Sequence, residues 1–256
     1  MKLLLDVGNT RLKWALWDGQ MSSERGEFAH QGAASDWPSL LQREWAALNE
    51  KPDYIAVVEV LGGGFQKALS AFATAQAWPA PEVLPADPAR FGLASHYHQP
   101  AQLGVDRYAV MAGARALGFD KAIIVNCGTA VTFDVLMGHH HAGGLIMPGL
   151  RLMRDSLDQL SGIQGMTLGA DDALPALSTA DAVSAGCVQG MAAAIDGLVE
   201  KMQARWPGET FKLLLSGGDA QRLMPWLKQE FHICPDLVFS GLSLAAGLSS
   251  VAKHER

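Results

Sequence analysis

Two stretches of the chain place an acid or an amide directly before a glycine turn that carries a threonine. The first is Asp6-Val7-Gly8-Asn9-Thr10-Arg11-Leu12-Lys13, and the second is Asn126-Cys127-Gly128-Thr129-Ala130. Glycine lets backbone N–H groups approach an anion closely, and a threonine hydroxyl adds a further donor. Arg11 and Lys13 add positive charge to the first stretch. This combination suits the phosphates of a nucleotide.

The acid at position 6 indicates a metal ion. Asp6 would repel a phosphate unless a cation lay between them, so an acid at a strand end beside a glycine turn indicates Mg²⁺ bridging the carboxylate and nucleotide phosphates. Taken alone, such a stretch is more often an ordinary hairpin in which Asp6 bonds its own turn. The second copy favours phosphate binding, because two facing turns can hold one polyphosphate from both sides.

A third glycine turn, Ser-Gly-Gly-Asp at 216–219, follows the apolar run at 212–215 and precedes a predicted helix. Glycine at the junction of a strand and a helix suits a nucleotide base or ribose lying against the backbone. An ordinary strand-to-helix turn explains the same residues equally well.

A possible base and an anion-binding group stand side by side in Gly104-Val105-Asp106-Arg107. These residues open a predicted helix, and both a helix N-terminus and an arginine suit an anionic partner. Asp106 can accept a proton from a substrate hydroxyl while Arg107 holds a substrate carboxylate. The alternative is a capping Asp106 beside a surface Arg107, and without further information it is the commoner arrangement.

The elements that carry these residues are predicted from hydrophobic periodicity. Residues 1–7 form an apolar run, 8–10 a turn, and 11–17 alternate, which predicts a β-hairpin. The stretch 122–136 repeats this pattern, and 138–141 is predicted to be the next turn. His139, His140 and His141 are then a solvated tip rather than a metal site. Asp171 and Asp172 are predicted to be solvated as well.

Helices and strands alternate along the rest of the chain, which predicts an α/β protein. The predicted helices cover 36–48, 64–77, 104–117, 150–160 and 180–204, with another from 219, and the predicted strands cover 54–60 and 211–215. Two similar hairpins about half the chain apart indicate two related domains. We place these domains at 1–118 and 119–256.

Composition excludes several classes of protein. The chain has 256 residues, 49% hydrophobic and 18% charged, which suits one large or two modest globular domains. A net charge of −6 disfavours a nucleic-acid partner. The sequence shows no stretch of about 18 apolar residues, as a membrane span would need, and no signal peptide. Cys127, Cys187 and Cys234 lack metal-binding spacing and suit a reducing cytoplasm.

Over nearly its whole length the chain resembles the type III pantothenate kinases. The matching stretches are DVGNTRLKWAL, YHQPAQLGVDR, NCGTAVTFDV, GGLIMPGL, STADAVSAG and LLSGGD, in that order along the chain. The resemblance implies the actin-like fold of sugar kinases and heat-shock ATPases. That fold has two tandem ribonuclease H-like α/β domains with ATP in the cleft between them.

The resemblance also implies an activity and roles for residues. The activity is ATP-dependent phosphorylation of pantothenate to 4′-phosphopantothenate, the first step of coenzyme A biosynthesis, in a cytoplasmic homodimer. Asp106 would be the proton acceptor. Tyr97, Gly104, Val105, Asp106 and Arg107 would contact pantothenate, with Thr179 reaching it from the neighbouring subunit. Residues 6–13 and Thr129 would hold ATP, with Mg²⁺ near Asp6.

The chain departs from the family at position 126. Family members commonly have Asp there, as a ligand for a monovalent cation such as K⁺ or NH₄⁺ that supports pantothenate binding. Asn126 keeps a carbonyl oxygen but loses the negative charge. We therefore predict a weakened requirement for the cation.

Two other functions are compatible with the same fold. One is a kinase for a different acceptor, such as a sugar or another small hydroxy acid; Arg107 favours an acid. The other is an ATP-binding regulatory or accessory protein that opens and closes on nucleotide without phosphorylating anything. Asp106 discriminates between the classes, because a nucleotide switch needs no base beside an anion-binding arginine.

Overall fold

The computed structural model describes residues 1–18, 21–46, 48, 50–62 and 64–248. Residue 47, within the predicted helix 36–48, and residues 249–256, within the predicted second domain, lie outside the described residues. The chain forms two compact units. Unit 1 comprises Met1–Asp120, His139–His141 and Asp236–Arg256, and unit 2 comprises Lys121–Gly138 and Ala142–Pro235.

Strands and helices alternate as predicted. The strands are β1 (Lys2–Val7), β2 (Arg11–Trp17), β3 (Met21–Ala29), β4 (Tyr54–Glu59), β5 (Glu82–Val83), β6 (Ala94–Ser95), β7 (Lys121–Cys127), β8 (Ala130–Met137), β9 (His140–Pro148), β10 (Lys212–Ser216) and β11 (His232–Ile233). The α-helices are α1 (Trp37–Trp45), α2 (Gly64–Ala75), α3 (Val105–Ala116), α4 (Leu150–Leu157), α5 (Thr179–Gln203), α6 (Ala220–Leu223) and α7 (Leu237–Ala245).

The sheet of unit 1 has the order β3-β2-β1-β4-β5. β1 pairs antiparallel with β2 and parallel with β4, so β1 is central. Leu3 and Leu5 of β1 alternate toward one face, where they form a core with Trp37 of α1 and Phe65 of α2. This apolar face fixes the register of β1, because a shift by one residue would bring Lys2 and Asp6 to the core face.

Helices α3 and α7 pack against each other. Both contact β4, and α7 also contacts β1. Their backbones meet at two glycines: a Cβ at Gly113 would collide with the carbonyl of Leu237, and one at Gly241 with the carbonyl of Ala109. This contact places the chain from Asp236 in unit 1. The compact units therefore have other boundaries than the predicted domains 1–118 and 119–256. The units are defined by contacts within the structure, and the two related domains stay a prediction.

Unit 2 repeats the topology of unit 1. Its strands run in the order β11-β10-β7-β8-β9, with β7 paired antiparallel to β8 and parallel to β10. Read from β7, this is the same connectivity as that of β1 to β5 in unit 1. The short strand β6 adds to the start of β9, where Ala94 pairs with His140 and Ser95 with His141. The internal repeat of the sequence is therefore also a repeat of topology.

The two predicted hairpins are confirmed as β1–β2 and β7–β8. Six elements of the described chain escape the sequence prediction: the strands β3, β5, β6, β9 and β11, and the helix α7. The prediction of a turn at 138–141 is wrong for residues 140 and 141, because β9 begins at His140. The helix predicted from 219 is short, since α6 ends at Leu223.

Helix α5 also corrects the composition argument. By length and composition it is apolar enough to cross a membrane, but about half of its apolar stretch is buried inside the protein. Its buried side chains, among them Val188, Met191 and Ile195, belong to the core of unit 2. Core helices of soluble proteins pass the same test.

Candidate active site

The first glycine turn closes the hairpin between β1 and β2. The amide of Gly8 donates to the carbonyl oxygen of Arg11 at 3.0 Å, and the carbonyl oxygen of Thr10 accepts from the amide of His30 at 3.0 Å. The turn is therefore held both by its own hairpin and by the residue that follows β3. Asn9 and Arg11 are exposed on it.

Asp6 lies on β1 opposite Lys13 of β2. Burial, opposed in part by Lys13 and reinforced by the charge of Asp106, raises the pKa of the Asp6 carboxyl group to about 7. A nearby cation would favour the ionised form. Mg²⁺ is usually held by one or two protein carboxylates together with substrate phosphates. The described residues contain no cluster of three or more potential metal-binding side chains.

The N-terminal end of α3 carries the predicted base. Gly104 is the N-cap residue, and Asp106 lies in the first turn of the helix. The Asp106 carboxylate folds back over Gly104, so a Cβ at position 104 would collide with the Asp106 Oδ1 atom. The first turn of a helix is a favourable position for an acidic side chain. A glycine at 104 thus leaves space for the carboxylate.

Arg107 follows directly and is only 4% exposed. Its Nη1 atom donates to the hydroxyl oxygen of Tyr97 at 3.2 Å, and its Cζ atom lies 5.9 Å from the centroid of the Tyr97 ring. A guanidinium group presents planar donors that match a carboxylate in a bidentate pair. Unit 1 therefore brings Tyr97, Asp106 and Arg107 together.

The second glycine turn lies in unit 2, at the end of β7. The carbonyl oxygen of Thr129 accepts from the amide of Gly149 at 3.1 Å. A Cβ at Gly149 would collide with the backbone of Gly128 and Thr129, so a glycine is needed at this close approach. Asn126 precedes the turn and is partly buried.

The third glycine turn packs on the second. Gly217 has a φ of +92° and lies against the backbone of Cys127, where a Cβ would collide. The amide of Asp219 donates to the carbonyl oxygen of Cys127 at 3.0 Å. Burial and, to a smaller degree, Asp219 raise the pKa of Cys127 to about 12, so its thiol stays protonated. Cys127 has the environment of a structural residue.

Thr179 is the first residue of α5 and is exposed in unit 2. The preceding Ser178 caps the helix, because its Oγ atom accepts from the amide of Asp181 at 3.2 Å. Asp181 in turn accepts from the amide of Ala170 at 2.8 Å. The helix start that carries Thr179 is therefore well anchored.

A model of the protein family described as type III pantothenate kinase matches residues 2–201 of the chain. The chain belongs to the type III pantothenate kinase family. It is 34% identical over 262 residues to the type III pantothenate kinase of Nitrosococcus oceani, covering 100% of this chain and 97% of that protein. It is 37% identical over 251 residues to that of Alkalilimnicola ehrlichii, covering 95% and 97%.

Solved structures agree on the fold. A protein from Campylobacter jejuni, described as a Baf family transcriptional activator, has a TM-score of 0.59 at 21% identity and covers 96% of this chain and 97% of its own. A 2-dehydro-3-deoxygalactonokinase from Sinorhizobium meliloti has a TM-score of 0.57 at 14% identity, covering 96% and 98%. The type III pantothenate kinase fold of this chain is thus that of the actin-like ATPases and sugar kinases.

One buried residue beside the site of this pantothenate kinase family member was missed. The prediction that residues 139–141 form a solvated tip is wrong for His141, which is 0% exposed. Its ring centroid lies 5.1 Å from that of Tyr97. The sequence contains one signal of this burial. The apolar residues 145–147 follow closely, which indicates that residues 140 and 141 begin a strand, β9, and not a solvated turn.

A second correction concerns Asp171, which is hydrogen-bonded rather than solvated. Arg222 donates to it through Nε at 2.9 Å and through Nη2 at 2.7 Å. The buried Ser184 donates to its Oδ1 atom at 2.6 Å. These bonds lower the pKa of Asp171, mainly through Arg222. The neighbouring Asp172 is exposed, as predicted.

The site residues predicted for a type III pantothenate kinase divide between the two units. Unit 1 contains residues 6–13, Tyr97 and the stretch Gly104–Arg107, and unit 2 contains Asn126, Thr129 and Thr179. The side chains of Val7, Leu12 and Val105 are buried in unit 1. Those three residues can meet a ligand only through their backbone.

Proposed function

We propose that this protein transfers the γ-phosphoryl group of ATP to the primary hydroxyl of pantothenate, giving 4′-phosphopantothenate, the first step of coenzyme A biosynthesis. The observation that carries the proposal is the N-terminal end of α3, where Asp106 stands beside the buried Arg107. A base next to an anion-binding group matches a substrate that has both a hydroxyl and a carboxylate.

Arg107, Tyr97 and Asp106 have separate roles in the proposed reaction. Arg107 binds the carboxylate of pantothenate, and Tyr97 supports Arg107 through its hydroxyl. Asp106 accepts the proton of the attacking hydroxyl late in the transfer. The transition state of phosphoryl transfer is loose, so positioning and charge neutralisation carry most of the catalysis. An ordinary carboxylate therefore suffices as the base.

The nucleotide is proposed to contact residues 6–13 and Thr129, whose glycine turns offer backbone N–H groups and hydroxyls. Asp6 is the proposed Mg²⁺ ligand, because its carboxyl group lies at the end of β1 beside the first glycine turn, and a bound cation would favour its ionised form. When bound, Mg²⁺ supplies charge neutralisation for the nucleotide phosphates. Asn126 is the position proposed for a weakly held monovalent cation, K⁺ or NH₄⁺.

The active form is proposed to be a homodimer in the cytoplasm. Seven of the ten exposed large hydrophobic residues of the described chain lie in one stretch of unit 2: Leu145, Ile146, Leu152, Leu160, Leu168, Leu174 and Leu177. A cavity of about 190 Å³ opens between α4 and the start of α5, lined in part by Leu168. Large exposed apolar surfaces mark protein–protein contacts. Thr179 directly follows this stretch.

Activity measured on mixed variants tests the dimer. If Thr179 completes the site of the neighbouring subunit, Asp106→Asn and Thr179→Ala homodimers are each impaired. A heterodimer of the two variants has one intact site, so mixing after partial unfolding and refolding should restore activity. No restoration, or a monomer by light scattering, would contradict the proposed sharing of Thr179.

The function itself is tested by incubating the protein with ATP, Mg²⁺ and pantothenate and detecting 4′-phosphopantothenate by mass spectrometry. Parallel reactions omit pantothenate, omit K⁺, or replace pantothenate by glucose or other small hydroxy acids. Product that requires pantothenate supports the proposal. ATP binding without product from pantothenate would contradict it; product from another acceptor would then indicate a different kinase, and no product would favour the regulatory alternative.

A further inference from the structure

His141 is tied to the segment that carries Tyr97. The backbone of Ser95 pairs with that of His141, and the amide of His96 donates to the carbonyl oxygen of His141 at 3.0 Å. Strand β6 is only two residues long, so its pairing with His140 and His141 is the whole of its pairing with β9. The position of Tyr97, two residues beyond β6, therefore depends on residues 140 and 141.

The side chains continue the same connection. The Nδ1 atom of His141 lies 3.3 Å from the Oγ atom of Ser95, and that same Oγ atom accepts from the amide of Tyr97 at 3.2 Å. The His141 and Tyr97 rings are 5.1 Å apart at an angle of 43°. Ser95 thus links the imidazole to the Tyr97 backbone, while the two rings contact each other directly.

Tyr97 has a second partner in Arg107. The guanidinium donates to the Tyr97 hydroxyl and lies near its ring, so the ring contacts both Arg107 and His141. An aromatic side chain that is held by two neighbours keeps one rotamer, and the groups that it supports stay oriented. His141 is buried beside Tyr97 and Arg107, where an apolar side chain would fill the same space. Its hydrogen bond with Ser95 is the feature that requires an imidazole.

We propose that His141 is a positioning residue for pantothenate binding, acting through Ser95 and Tyr97 on Arg107. This inference rests on the proposed function. Without the imidazole, Tyr97 loses a ring contact and Ser95 loses a hydrogen-bond partner, so that the pair Tyr97 and Arg107 is less well oriented for a carboxylate. The expected effect is therefore on the binding of pantothenate and not on proton transfer at Asp106.

The test compares His141→Leu with His141→Asn and with His139→Asn, a matched control on the exposed neighbour in the same chain segment. His141→Leu should raise the KM for pantothenate roughly tenfold, as the loss of one hydrogen bond implies. Its kcat and its KM for ATP should stay near those of the unsubstituted protein. His141→Asn should recover part of the loss, because an amide can still bond Ser95. His139→Asn should change nothing.

A double substitution separates positioning from a general structural defect. In the Tyr97→Ala background, His141→Leu should add no further rise in the KM for pantothenate, since the residue through which it acts is gone. An unchanged KM in His141→Leu would overturn the inference alone, and so would an equal further rise in the double variant. Absence of pantothenate-dependent product from the unsubstituted protein would overturn the proposed function and this inference with it.

Discussion

The carboxylates of Asp6 and Asp106 interact electrostatically within unit 1. Asp6 lies near the end of β1 and Asp106 in the first turn of α3. The charge of Asp106 adds to the effect of burial and raises the pKa of Asp6, whereas Lys13 opposes both. Two nearby acids with different surroundings can take different roles. Here Asp6 is proposed to hold the cation and Asp106 to accept the proton.

Asp106→Asn should lower kcat roughly 10²- to 10⁴-fold, the usual contribution of a positioned base. The amide has nearly the same shape, so folding should be intact, and steady-state kinetics with circular dichroism will check both. Asp120→Asn, an exposed position after α3, is the control and should retain full activity. Near-normal turnover in Asp106→Asn would show that Asp106 is not the base.

Gly104→Ala should lower activity without unfolding the protein. The new Cβ would collide with the Asp106 Oδ1 atom, so the carboxylate must leave its position over the helix start. The φ of Gly104 is −56°, which alanine adopts without strain. We expect kcat to fall at least about tenfold because a displaced base transfers protons poorly. Thermal unfolding should shift by only a few degrees.

The control for this substitution is Gly197→Ala in α5, where an added Cβ meets nothing within 4 Å. Alanine is a better helix former than glycine, so this variant should be as active as the unsubstituted protein and no less stable. Equal kinetics for the two alanine variants would refute a steric role for Gly104.

The hairpins could be predicted from the sequence because their signals are local. The apolar run of β1, the turn at Gly8 and the alternation of β2 all lie within the first 17 residues. The glycine turn at Gly128 gives the same pattern for β7 and β8. Family resemblance then supplied the expected roles of the site residues, which local pattern alone left open.

Long-range contacts could not be predicted in this way. The burial of His141 depends on Ser95 and Tyr97, and its bond with Ser95 spans 46 positions. The bond between Asp171 and Arg222 spans 51 positions. A single sequence shows the composition of each segment but not the partner that it meets, so it predicts polar residues in apparent loops to be solvated.

Asn126→Asp should increase the dependence on a monovalent cation. Restoring a carboxylate adds a negative charge that favours K⁺ binding. We expect the unsubstituted protein to lose little activity in Tris buffer without K⁺ or NH₄⁺, whereas the variant should be stimulated by either ion. A strict K⁺ requirement in the unsubstituted protein would contradict the predicted weakening at position 126.

Gly241→Ala should destabilise unit 1. The substituent would collide with the carbonyl of Ala109, where the backbones of α3 and α7 touch. The helices must then separate, which costs about 1–3 kcal/mol or more, as for other overpacked cores. Urea denaturation will measure the loss, with Gly190→Ala in α5 as a control that meets no atom within 4 Å. Equal stability of the two variants would show that the close helix contact is unimportant.

Asp171→Asn should destabilise unit 2 in a pH-dependent way. The carboxylate accepts from Arg222 and Ser184, and its pKa in the folded protein is below the ordinary value of 3.8. Its contribution to stability is therefore fully present above about pH 5 and is lost as the pH falls through the folded pKa. We expect the free energy of unfolding to fall by about 1–3 kcal/mol at pH 7, the cost of weakening a charged hydrogen bond.

The difference between Asp171→Asn and the unsubstituted protein should shrink as the pH is lowered below about 4, because protonation removes the same charge. Asp172→Asn, the exposed neighbour, should show no difference at any pH. Urea denaturation curves at pH 7, 5, 3.5 and 2.5 distinguish the cases, because the last two values lie below the ordinary pKa of 3.8. A constant deficit across this range would mean that the shape of Asp171, and not its charge, supports the contact with Arg222.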